Sequence, residues 1–292
     1  GHSAVAQREA STVEAMGAAV DELLRADAEI IAVNGGDGTV QAVLTALLRA
    51  RLAALPLLAV LPGGTTNTTA RNVGYTRQPL RALQRLIEAA ARGTVAGVVE
   101  RWPVVRVDGD GDPRFAMMFG AGAVYHGVAF FHRQVLSRGV GGQLGAGVAI
   151  ATALGHVISG RIGQLFPPLH ADIAIDGTPV TGGPYFGILT STITRQVLNL
   201  RPYWGVGPGR LRFSSLGYAP RGLARAILPA VRGRPSPHLR PDLGYRSENA
   251  DEVRLAFDSG YVLDGQLFAS SGPPLGLTLS ARQHAYFLRE GR

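Results

Sequence analysis

Hydrophobic and polar positions follow two different periods along the chain, and the change of period divides the sequence into two parts. Up to about residue 97, apolar positions repeat at helical spacing in three segments, and short apolar runs lie between them. The predicted helices cover about 9–25, 39–51 and 78–92, and the predicted buried strands cover 29–33 and 56–61. Strands that alternate with helices are typical of an open, mostly parallel α/β sheet.

After Gly97 the pattern changes to short alternating segments that are separated by turn residues. These segments fall within 98–123, 171–180, 184–192, 251–268 and 275–281, and helices are predicted at about 124–137, 143–158 and 221–231. Such spacing predicts an antiparallel β-sandwich with inserted helices. We therefore expect an α/β domain over 1–97 and a β-sandwich domain over 98–292, the last residues of which can return to the first domain.

The composition supports a folded globular protein and excludes several chemistries. The 292 residues are 46% hydrophobic and 17% charged, which does not match the polar signature of disorder. The absence of cysteine excludes disulfides, thiolate zinc sites and cysteine nucleophiles. All 29 basic residues are arginine, so a lysine-dependent P-loop or protein-kinase site is excluded as well.

The charge balance and the apolar runs bear on partners and location. The net charge of +8 and the pI near 10.5 favour an anionic partner. No apolar run reaches the roughly 20 residues of a spanning helix; the nearest, 145–160, is predicted to be a packed helix, with lipid contact as the alternative. The N-terminus carries no basic-then-apolar leader, so a cytoplasmic protein is expected.

The stretch "VNGGDGTVQAVL", 33–44, places three glycines around one carboxylate where a strand gives way to a helix. Gly35, Gly36 and Gly38 are expected to allow positive φ and close approach of the backbone, so that successive N–H groups bind an anion such as phosphate. A carboxylate at Asp37 would repel that phosphate unless a cation bridges them or the acid handles a proton. The alternative is that Asp37 caps the following helix.

A second turn of similar chemistry follows the second predicted strand. "PGGTTNTTARN", 62–72, again offers glycine N–H groups, and adds the hydroxyls of Thr65 and Thr66 and the amide of Asn67. Both turns fall at the carboxyl ends of strands in one sheet, where ligands of α/β proteins bind. Together they predict a phosphate or nucleotide site, and a pair of ordinary polar loops is the alternative.

The order and spacing of these motifs resemble the diacylglycerol kinase catalytic superfamily, which includes bacterial lipid kinases and sphingosine kinases. The resemblance runs through Gly35 to Thr39, then Pro62, Gly64, Thr65, Asn67, Ala70 and Arg71, and resumes at "VLDGQ", 262–266. It implies an N-terminal α/β nucleotide-binding domain and a C-terminal β-sandwich lipid-binding domain, with ATP and the lipid hydroxyl meeting in the cleft between them.

The resemblance also implies roles for individual residues. Those expected to bind ATP are Gly35, Gly36, Gly38, Thr39, Gly63, Gly64, Thr65, Asn67 and Arg71. Asp37 is expected to position phosphate or Mg²⁺, and Asp37 and Asp264 are the two candidate catalytic bases, of which we prefer Asp264. The alternative for Asp264 is an ordinary Asp-Gly hairpin turn, of the kind also present at Asp176-Gly177.

Three departures from the family pattern reduce the acidic groups available to a metal. The family's acid after the asparagine of the second turn is Thr68 here, and the glutamate of its late turn is Gln266. The segment "GAGAVYHG", 120–127, lacks an acid near Val124, and the family's opening "N-P-x-S-G" turn is also missing. Two hypotheses follow: an ATP- and Mg²⁺-dependent lipid kinase, and a non-catalytic lipid- or nucleotide-binding descendant of that fold.

The expected partners are a lipid substrate and the anionic inner membrane surface, where the protein would associate peripherally. Five arginines lie beside Leu223, Ile227 and Leu228 and form either a basic amphipathic surface for lipid heads or a solvated loop and helix: Arg221, Arg225, Arg232, Arg234 and Arg240. No basic stripe is interleaved with aromatics, so nucleic acid is not expected as a partner. The identity of the lipid and the oligomeric state stay open.

Overall fold

The computed structural model describes residues 5–75, 78–95, 99–130, 132–133, 166–269 and 274–289. The chain divides into two compact units: residues 1–102 with 284–292, and residues 103–283. The helix predicted at 143–158 and the end of the one predicted at 124–137 lie outside the described residues.

The first unit is an α/β layer structure around a four-stranded sheet. Its elements are α1 (Val13–Arg25), β1 (Ile30–Gly35), α2 (Asp37–Arg49), β2 (Leu57–Pro62), α3 (Thr68–Asn72), α4 (Pro79–Ala91), β3 (Val99–Pro103) and the last strand of the chain, β16 (His284–Leu288). The strand order is β1-β2-β16-β3, and β1 and β16 both pair parallel to β2.

The buried positions of β2 and α2 agree with the apolar pattern of the sequence. The interior of β2 is buried at four successive positions, as is typical of a parallel strand covered on both faces. Leu44 and Leu47 of α2 are buried with Leu58 of β2. The helix α2 begins at Asp37, two residues before the predicted start, which brings the carboxylate into the first helical turn.

The second unit is a β-sandwich. Its elements are β4 (Val105–Asp108), β5 (Arg114–Ala116), β6 (Met118–Gly122), α5 (Ala123–Phe130), β7 (Ala171–Ile175), β8 (Thr178–Val180), β9 (Tyr185–Ser191), β10 (Leu211–Gly217), α6 (Leu223–Arg232), β11 (Tyr245–Ala250), β12 (Glu252–Phe257), β13 (Tyr261–Leu263), β14 (Gln266–Phe268) and β15 (Leu275–Ser280). The two six-stranded sheets have the orders β11-β10-β9-β6-β13-β14 and β5-β4-β15-β12-β7-β8. The pairings within each are antiparallel.

The sandwich core joins side chains from both sheets. Phe119 of one sheet and Phe257 of the other meet edge to face at 6.4 Å between ring centroids, and Phe119 stacks on Tyr261. These residues belong to one buried cluster that also contains aliphatic side chains of β4, β10 and β15. The predicted antiparallel β-sandwich is therefore confirmed.

One part of the sandwich differs from the sequence prediction. The strands β10 and β11 were not among the predicted segments. The stretch 232–244, between α6 and β11, has the proline and arginine density that predicts a mobile surface loop with little apolar area to bury. In the structure Leu239 is 7% exposed and packs with Ala226 and Tyr245 under α6. A single buried leucine thus anchors a segment that is otherwise rich in proline and arginine.

Candidate functional site

Two glycine turns leave the sheet of the first unit at the same edge. Gly35, the last residue of β1, pairs with Pro62, the last residue of β2, in a parallel register. The first glycine turn (residues 35–37) leads into α2, and the second glycine turn (residues 63–67) leads into α3. The register therefore brings together the two motifs that the sequence singled out.

The glycines serve close approach, and the expectation of positive φ at Gly35, Gly36 and Gly38 is wrong. None of the three has positive φ; Gly36 is extended, with φ −83° and ψ 179°, and Gly38 lies inside α2. A Cβ added to Gly64 would overlap the Cα of Gly36, and one added to Gly35 would lie 2.6 Å from Thr39 Oγ1. The two turns pack backbone against backbone, which only glycine permits.

Asp37 locks the second glycine turn onto the first. Its Oδ2 accepts hydrogen bonds from Thr66 Oγ1 at 2.8 Å and from the Thr68 N–H at 2.9 Å, and its Oδ1 accepts one from the Thr69 N–H at 2.8 Å. The carboxylate therefore caps α3, whereas the alternative derived from sequence had it cap its own helix. A negative charge at a helix N-terminus is stabilised by the orphan N–H groups there.

Asn67 closes the second glycine turn on itself. Its Oδ1 accepts a hydrogen bond from the Gly64 N–H at 2.7 Å, and its Nδ2 donates to Gly64 O at 2.7 Å and to Pro62 O at 3.3 Å. The residue has φ 51° and ψ 43°, a left-handed conformation in which asparagine is enriched. The amide expected to contact ATP is thus used to shape the turn.

The anion-binding capacity that remains lies at the start of α2. The first backbone bond of that helix runs from Val40 N to Gly36 O, so the N–H groups of Asp37, Gly38 and Thr39 have no partner within the helix. Thr65 is exposed beside them in the second glycine turn, and Arg71 is exposed in the last turn of α3. The N-terminus of α3 already holds the Asp37 carboxylate.

The donor set around Asp37 fits a cation held mainly by a bound nucleotide. A carboxylate offers about four acceptor positions, and three hydrogen bonds occupy three of them. Within the described ranges, no three His, Cys, Asp or Glu side chains come together as a metal-binding group. Mg²⁺ commonly takes one or two protein carboxylates together with phosphate oxygens, so one ligand from Asp37 is compatible with such a site.

Asp264 lies in the second unit, in a tight hairpin turn. Asp264 and Gly265 have φ of 47° and 86° and connect β13 to β14, as in a two-residue type I′ loop. The carboxylate is buried, and its oxygens accept hydrogen bonds from the N–H groups of Met117 at 2.8 Å and Met118 at 2.9 Å. The Asp264 N–H donates to Met118 O.

The turn at Asp176 repeats this geometry on the surface. Asp176 and Gly177 have φ of 48° and 80°, and one carboxylate oxygen of Asp176 accepts from the N–H groups of Asp251 and Glu252. The Asp176 N–H donates to Glu252 O. The two turns differ in burial, since Asp264 is 6% exposed and Asp176 lies at the surface. The structure therefore contains the Asp-Gly hairpin turn that was the alternative interpretation of Asp264. A catalytic role of Asp264 stays a prediction.

The other positions noted in the sequence lie in the second unit. Gln266 opens β14 opposite Leu263, and Val124 packs against Gly120 in α5. Burial and the nearby positive charge of Arg133 lower the pKa of His126. A cavity of about 360 Å³ lies beside the 180–185, 217–221 and 241–246 segments of the second unit, and none of the candidate site residues lines it.

Comparison with known proteins identifies a matching family model and similar chains. Residues 3–99 match the family model of the diacylglycerol kinase catalytic domain. A 72-residue segment is 39% identical to the probable lipid kinase YegS of Salmonella arizonae, and the same identity holds for YegS of Salmonella heidelberg. The match covers 25% of this chain and 24% of each relative, so only a quarter of the relatives' length is represented.

Solved structures resemble the whole fold. A putative diacylglycerol kinase from Bacillus anthracis superposes with a TM-score of 0.60 at 16% identity, over 97% of this chain and 85% of that one. A diacylglycerol kinase structure from the same organism gives 0.57 at 13% identity, over 96% and 83%. These comparisons confirm the predicted fold class and, with the family match, the resemblance drawn from the two glycine turns.

None of the helices in the described part of the chain is long and apolar enough to span a bilayer.

Proposed function

We propose, because residues 3–99 match the family model of the diacylglycerol kinase catalytic domain, that the chain is an ATP-dependent lipid kinase. The acceptor is a hydroxyl of a diacylglycerol-like or sphingoid lipid. The bond between the γ-phosphorus and its bridging oxygen breaks, a phosphate ester forms at the lipid oxygen, and the hydroxyl proton passes to a carboxylate. ADP and the phosphorylated lipid are the products.

The observation that carries this proposal is the lock between the two glycine turns. Asp37 holds the start of α3 against the start of α2 through Thr66, Thr68 and Thr69. Two polar loops without a shared ligand have no need to be held together by a close backbone contact and a charged carboxylate. A single polyanion that touches both turns explains why they are kept in fixed register.

In this proposal the start of α2 binds the phosphates. The N–H groups of Asp37, Gly38 and Thr39 donate to phosphate oxygens, and the helix dipole favours the same negative charge. Close approach is possible because Gly35 and Gly36 carry no side chain, and Gly63, Gly64 and Thr65 form the opposite side. Asn67 maintains that side by closing the turn, and Arg71 adds a positive charge that can reach a phosphate.

A bound Mg²⁺ would neutralise the charge of the ATP phosphates. Asp37 is the residue that would hold it, through the one acceptor position that its hydrogen bonds leave. Because the protein then supplies a single ligand, we expect the metal to bind with the nucleotide and only weakly without it.

Asp264 is the proposed general base, and Asp37 is the second candidate. The Asp264 carboxylate accepts hydrogen bonds from the Met117 and Met118 N–H groups, and these bonds fix its orientation. A general base needs such a fixed orientation toward the hydroxyl from which it takes the proton. Asp37 is less suited to proton transfer, since its carboxylate also holds the start of α3 and is the proposed Mg²⁺ ligand.

Labelled ATP tests the proposal directly. Purified protein is incubated with γ-labelled ATP, Mg²⁺ and a panel of diacylglycerols, monoacylglycerols and sphingoid bases, and the extracted lipids are assayed for label. We expect Mg²⁺-dependent transfer to at least one lipid class. Absence of label in every lipid, while an active family member transfers it in the same assay, would overturn the proposal.

A second candidate function is a non-catalytic lipid- or nucleotide-binding protein of the same fold. Three observations favour it: three hydrogen bonds already use most of the acceptor capacity of Asp37, no three-ligand acidic group occurs in the described residues, and Thr68 and Gln266 are neutral. Calorimetric titrations combined with the label-transfer assay distinguish the two. The kinase binds ATP more tightly with Mg²⁺ than without and labels a lipid. A nucleotide-binding descendant binds ATP but labels no lipid, and a lipid-binding descendant gives no heat with ATP in either condition.

The proposed location follows from the substrate. A lipid acceptor is presented by a membrane, so the protein is proposed to act in the cytoplasm, associated peripherally with the inner membrane surface. Cell fractionation of tagged protein tests this, because a peripheral protein is released from membranes by high salt.

A further inference from the structure

The excess positive charge of the chain is concentrated in one segment. Residues 177–247 contain ten arginines and a single acid, Asp242, whereas the remainder of the chain contains 19 arginines and 20 acids. A genome bias that replaces lysine by arginine would leave the ratio of positive to negative residues unchanged in every segment. The genome bias alone therefore does not account for this local excess.

The helix α6 presents part of that charge on its exposed face. Its buried side is Ala226, with Leu223 and Ala230 packed partly against Tyr245 and Leu239. Arg225, Leu228 and Arg232 are exposed, and their spacing of three and four residues places them on one face of the helix. Arg234 follows directly after the C-cap at Gly233. We call these four residues, Arg225, Leu228, Arg232 and Arg234, the basic face.

Contacts with Asp242 separate the basic face from Arg221 and Arg240, the other two arginines of the five-arginine surface considered from sequence. Arg240 pairs with Asp242 at 2.6 Å, and Arg221 donates to the Asp242 carbonyl at 2.7 Å. The basic face has no carboxylate partner among the residues that the structure describes. The five-arginine surface expected from sequence thus reduces to three arginines, and Leu223 and Ile227 face away from it, partly buried.

The exposed leucine identifies the kind of partner. Leu228 is 51% exposed between Arg225 and Arg232, and an aliphatic side chain gains free energy only where it enters an apolar phase. Lipid bilayers offer such a phase directly below a layer of phosphate groups. Nucleic acids offer stacked bases, which are bound by aromatic side chains, and the basic face has none.

We infer that the basic face of α6 docks on an anionic lipid membrane. The guanidinium groups of Arg225, Arg232 and Arg234 donate to lipid phosphates, and Leu228 inserts between the acyl chains. This inference extends the proposed function, since it names the surface through which a lipid kinase reaches its acceptor. It does not require catalysis, so docking is measured without ATP.

Vesicle co-sedimentation with a matched charge control tests the inference. The full chain is mixed with vesicles of phosphatidylcholine alone or with phosphatidylglycerol, at low and high salt. The double variant R225E/R232E is compared with R81E/R85E, which changes the net charge equally on the exposed face of α4 in the first unit. At about fivefold per arginine, we expect R225E/R232E to weaken binding to anionic vesicles at least 25-fold and R81E/R85E to leave it within about threefold.

A second pair of variants tests the leucine. Leu228→Ser is compared with Leu80→Ser, because Leu80 is also exposed, at 67%. Loss of one inserted leucine is expected to weaken vesicle binding about fivefold, and Leu80→Ser is expected to have no effect. Circular dichroism verifies that the four variants are folded.

Three results would overturn the inference: unchanged vesicle binding by R225E/R232E, equal loss in both charge-reversed variants, or wild-type binding to duplex DNA but not to anionic vesicles. The outcome is separate from that of the kinase proposal. Docking through α6 without lipid phosphorylation contradicts only the proposed function, and phosphorylation with no effect of R225E/R232E on vesicle binding contradicts only the docking surface.

Discussion

Asp37 is the residue on which both glycine turns depend. Its carboxylate joins the start of α2 to the start of α3 by three hydrogen bonds, and hydrogen bonds to charged groups contribute about 1.5–3 kcal/mol each. The acid is therefore a structural part of the site before any ligand arrives. The conflict between a carboxylate and a bound phosphate is reduced, because the charge of Asp37 is directed into α3.

Asp37→Asn is expected to destabilise the protein by about 2–3 kcal/mol, because the amide NH₂ replaces one acceptor oxygen and leaves an N–H of α3 without a partner. Thr66→Val removes the hydrogen bond from Thr66 Oγ1 to Asp37 and is expected to cost about 1.5 kcal/mol. Urea unfolding measures both. If Asp37→Asn costs no more than Thr66→Val, the carboxylate does not hold the turns together.

Gly64 and Gly36 meet across the two turns but differ in the room for a side chain. A Cβ on Gly64 would overlap the Gly36 backbone, whereas a Cβ on Gly36 would lie 3.5 Å from Gly64 Cα, an ordinary contact. We expect Gly64→Ala to destabilise by about 2–4 kcal/mol and Gly36→Ala by less than about 1 kcal/mol. Thermal unfolding of both variants is the measurement, and equal losses would contradict the backbone packing described above.

At the scale of elements, the two Asp-Gly hairpins provide an internal comparison. Both carboxylates accept two successive backbone N–H groups, but the Asp264 turn is buried and the Asp176 turn is exposed. Unpaired N–H groups cost more where water cannot reach them. Asp264→Ala is therefore expected to lose about 3 kcal/mol of stability, and Asp176→Ala about 1 kcal/mol.

The same two variants, Asp264→Ala and Asp176→Ala, distinguish a structural role of Asp264 in the turn from a role as general base. If Asp264 takes the hydroxyl proton, Asp264→Ala lowers kcat by about 10²–10⁴ at a temperature where the variant is fully folded, and Asp176→Ala leaves kcat unchanged. Steady-state lipid phosphorylation supplies the values. A normal kcat in folded Asp264→Ala would assign the proton transfer elsewhere and leave this residue with the turn alone.

The sequence predicted the elements with strong periodicity and missed those set by contacts. The parallel strands β1 and β2 and the helices α2 and α4 follow from apolar runs and helical spacing. The strands β10 and β11 were missed because α6 and Leu239 cover one face of them, which no local pattern reports. The short helix α3 was missed as well, although Asn67 before two threonines resembles a helix start.

The residues of the candidate site were identified from the sequence, but the contacts that join them were not. Local sequence identified Asp37, Asn67 and the glycines, since turn chemistry depends on residue type. It did not reveal that Asp37 reaches Thr68 and Thr69, more than 30 positions away, because that contact depends on the parallel register of β1 and β2. The glycines are needed because the two turns pack closely, and this packing depends on the same register of β1 and β2.

At the scale of the whole molecule, buried tyrosines predict how the fold responds to alkali. Burial raises the pKa of Tyr185, Tyr203, Tyr245 and Tyr261 above the ordinary value near 10. The unfolded chain then loses these protons first as the pH rises, so it binds fewer protons than the fold. Stability is therefore fully present below pH about 10 and decreases above it.

Tyr245→Phe isolates one such group. The Tyr245 hydroxyl is buried without a hydrogen-bond partner among the described residues, so its removal is expected to leave stability at neutral pH unchanged or raised by up to about 1 kcal/mol. Above pH about 10 the variant is expected to exceed the wild type by a growing margin. Thermal unfolding of the variant and the wild type at neutral pH and above pH about 10 is the measurement. A variant that loses stability faster than the wild type in alkali would contradict the raised pKa of Tyr245.

The central claim is that the two glycine turns together bind the nucleotide, and amide hydrogen exchange tests it most directly. Exchange is followed by mass spectrometry in the full chain, with and without ATP and Mg²⁺. The account predicts that ATP slows exchange at residues 35–39 and 63–67 in the same titration. Saturating ATP that protects neither segment, or only one of them, would contradict a shared nucleotide site.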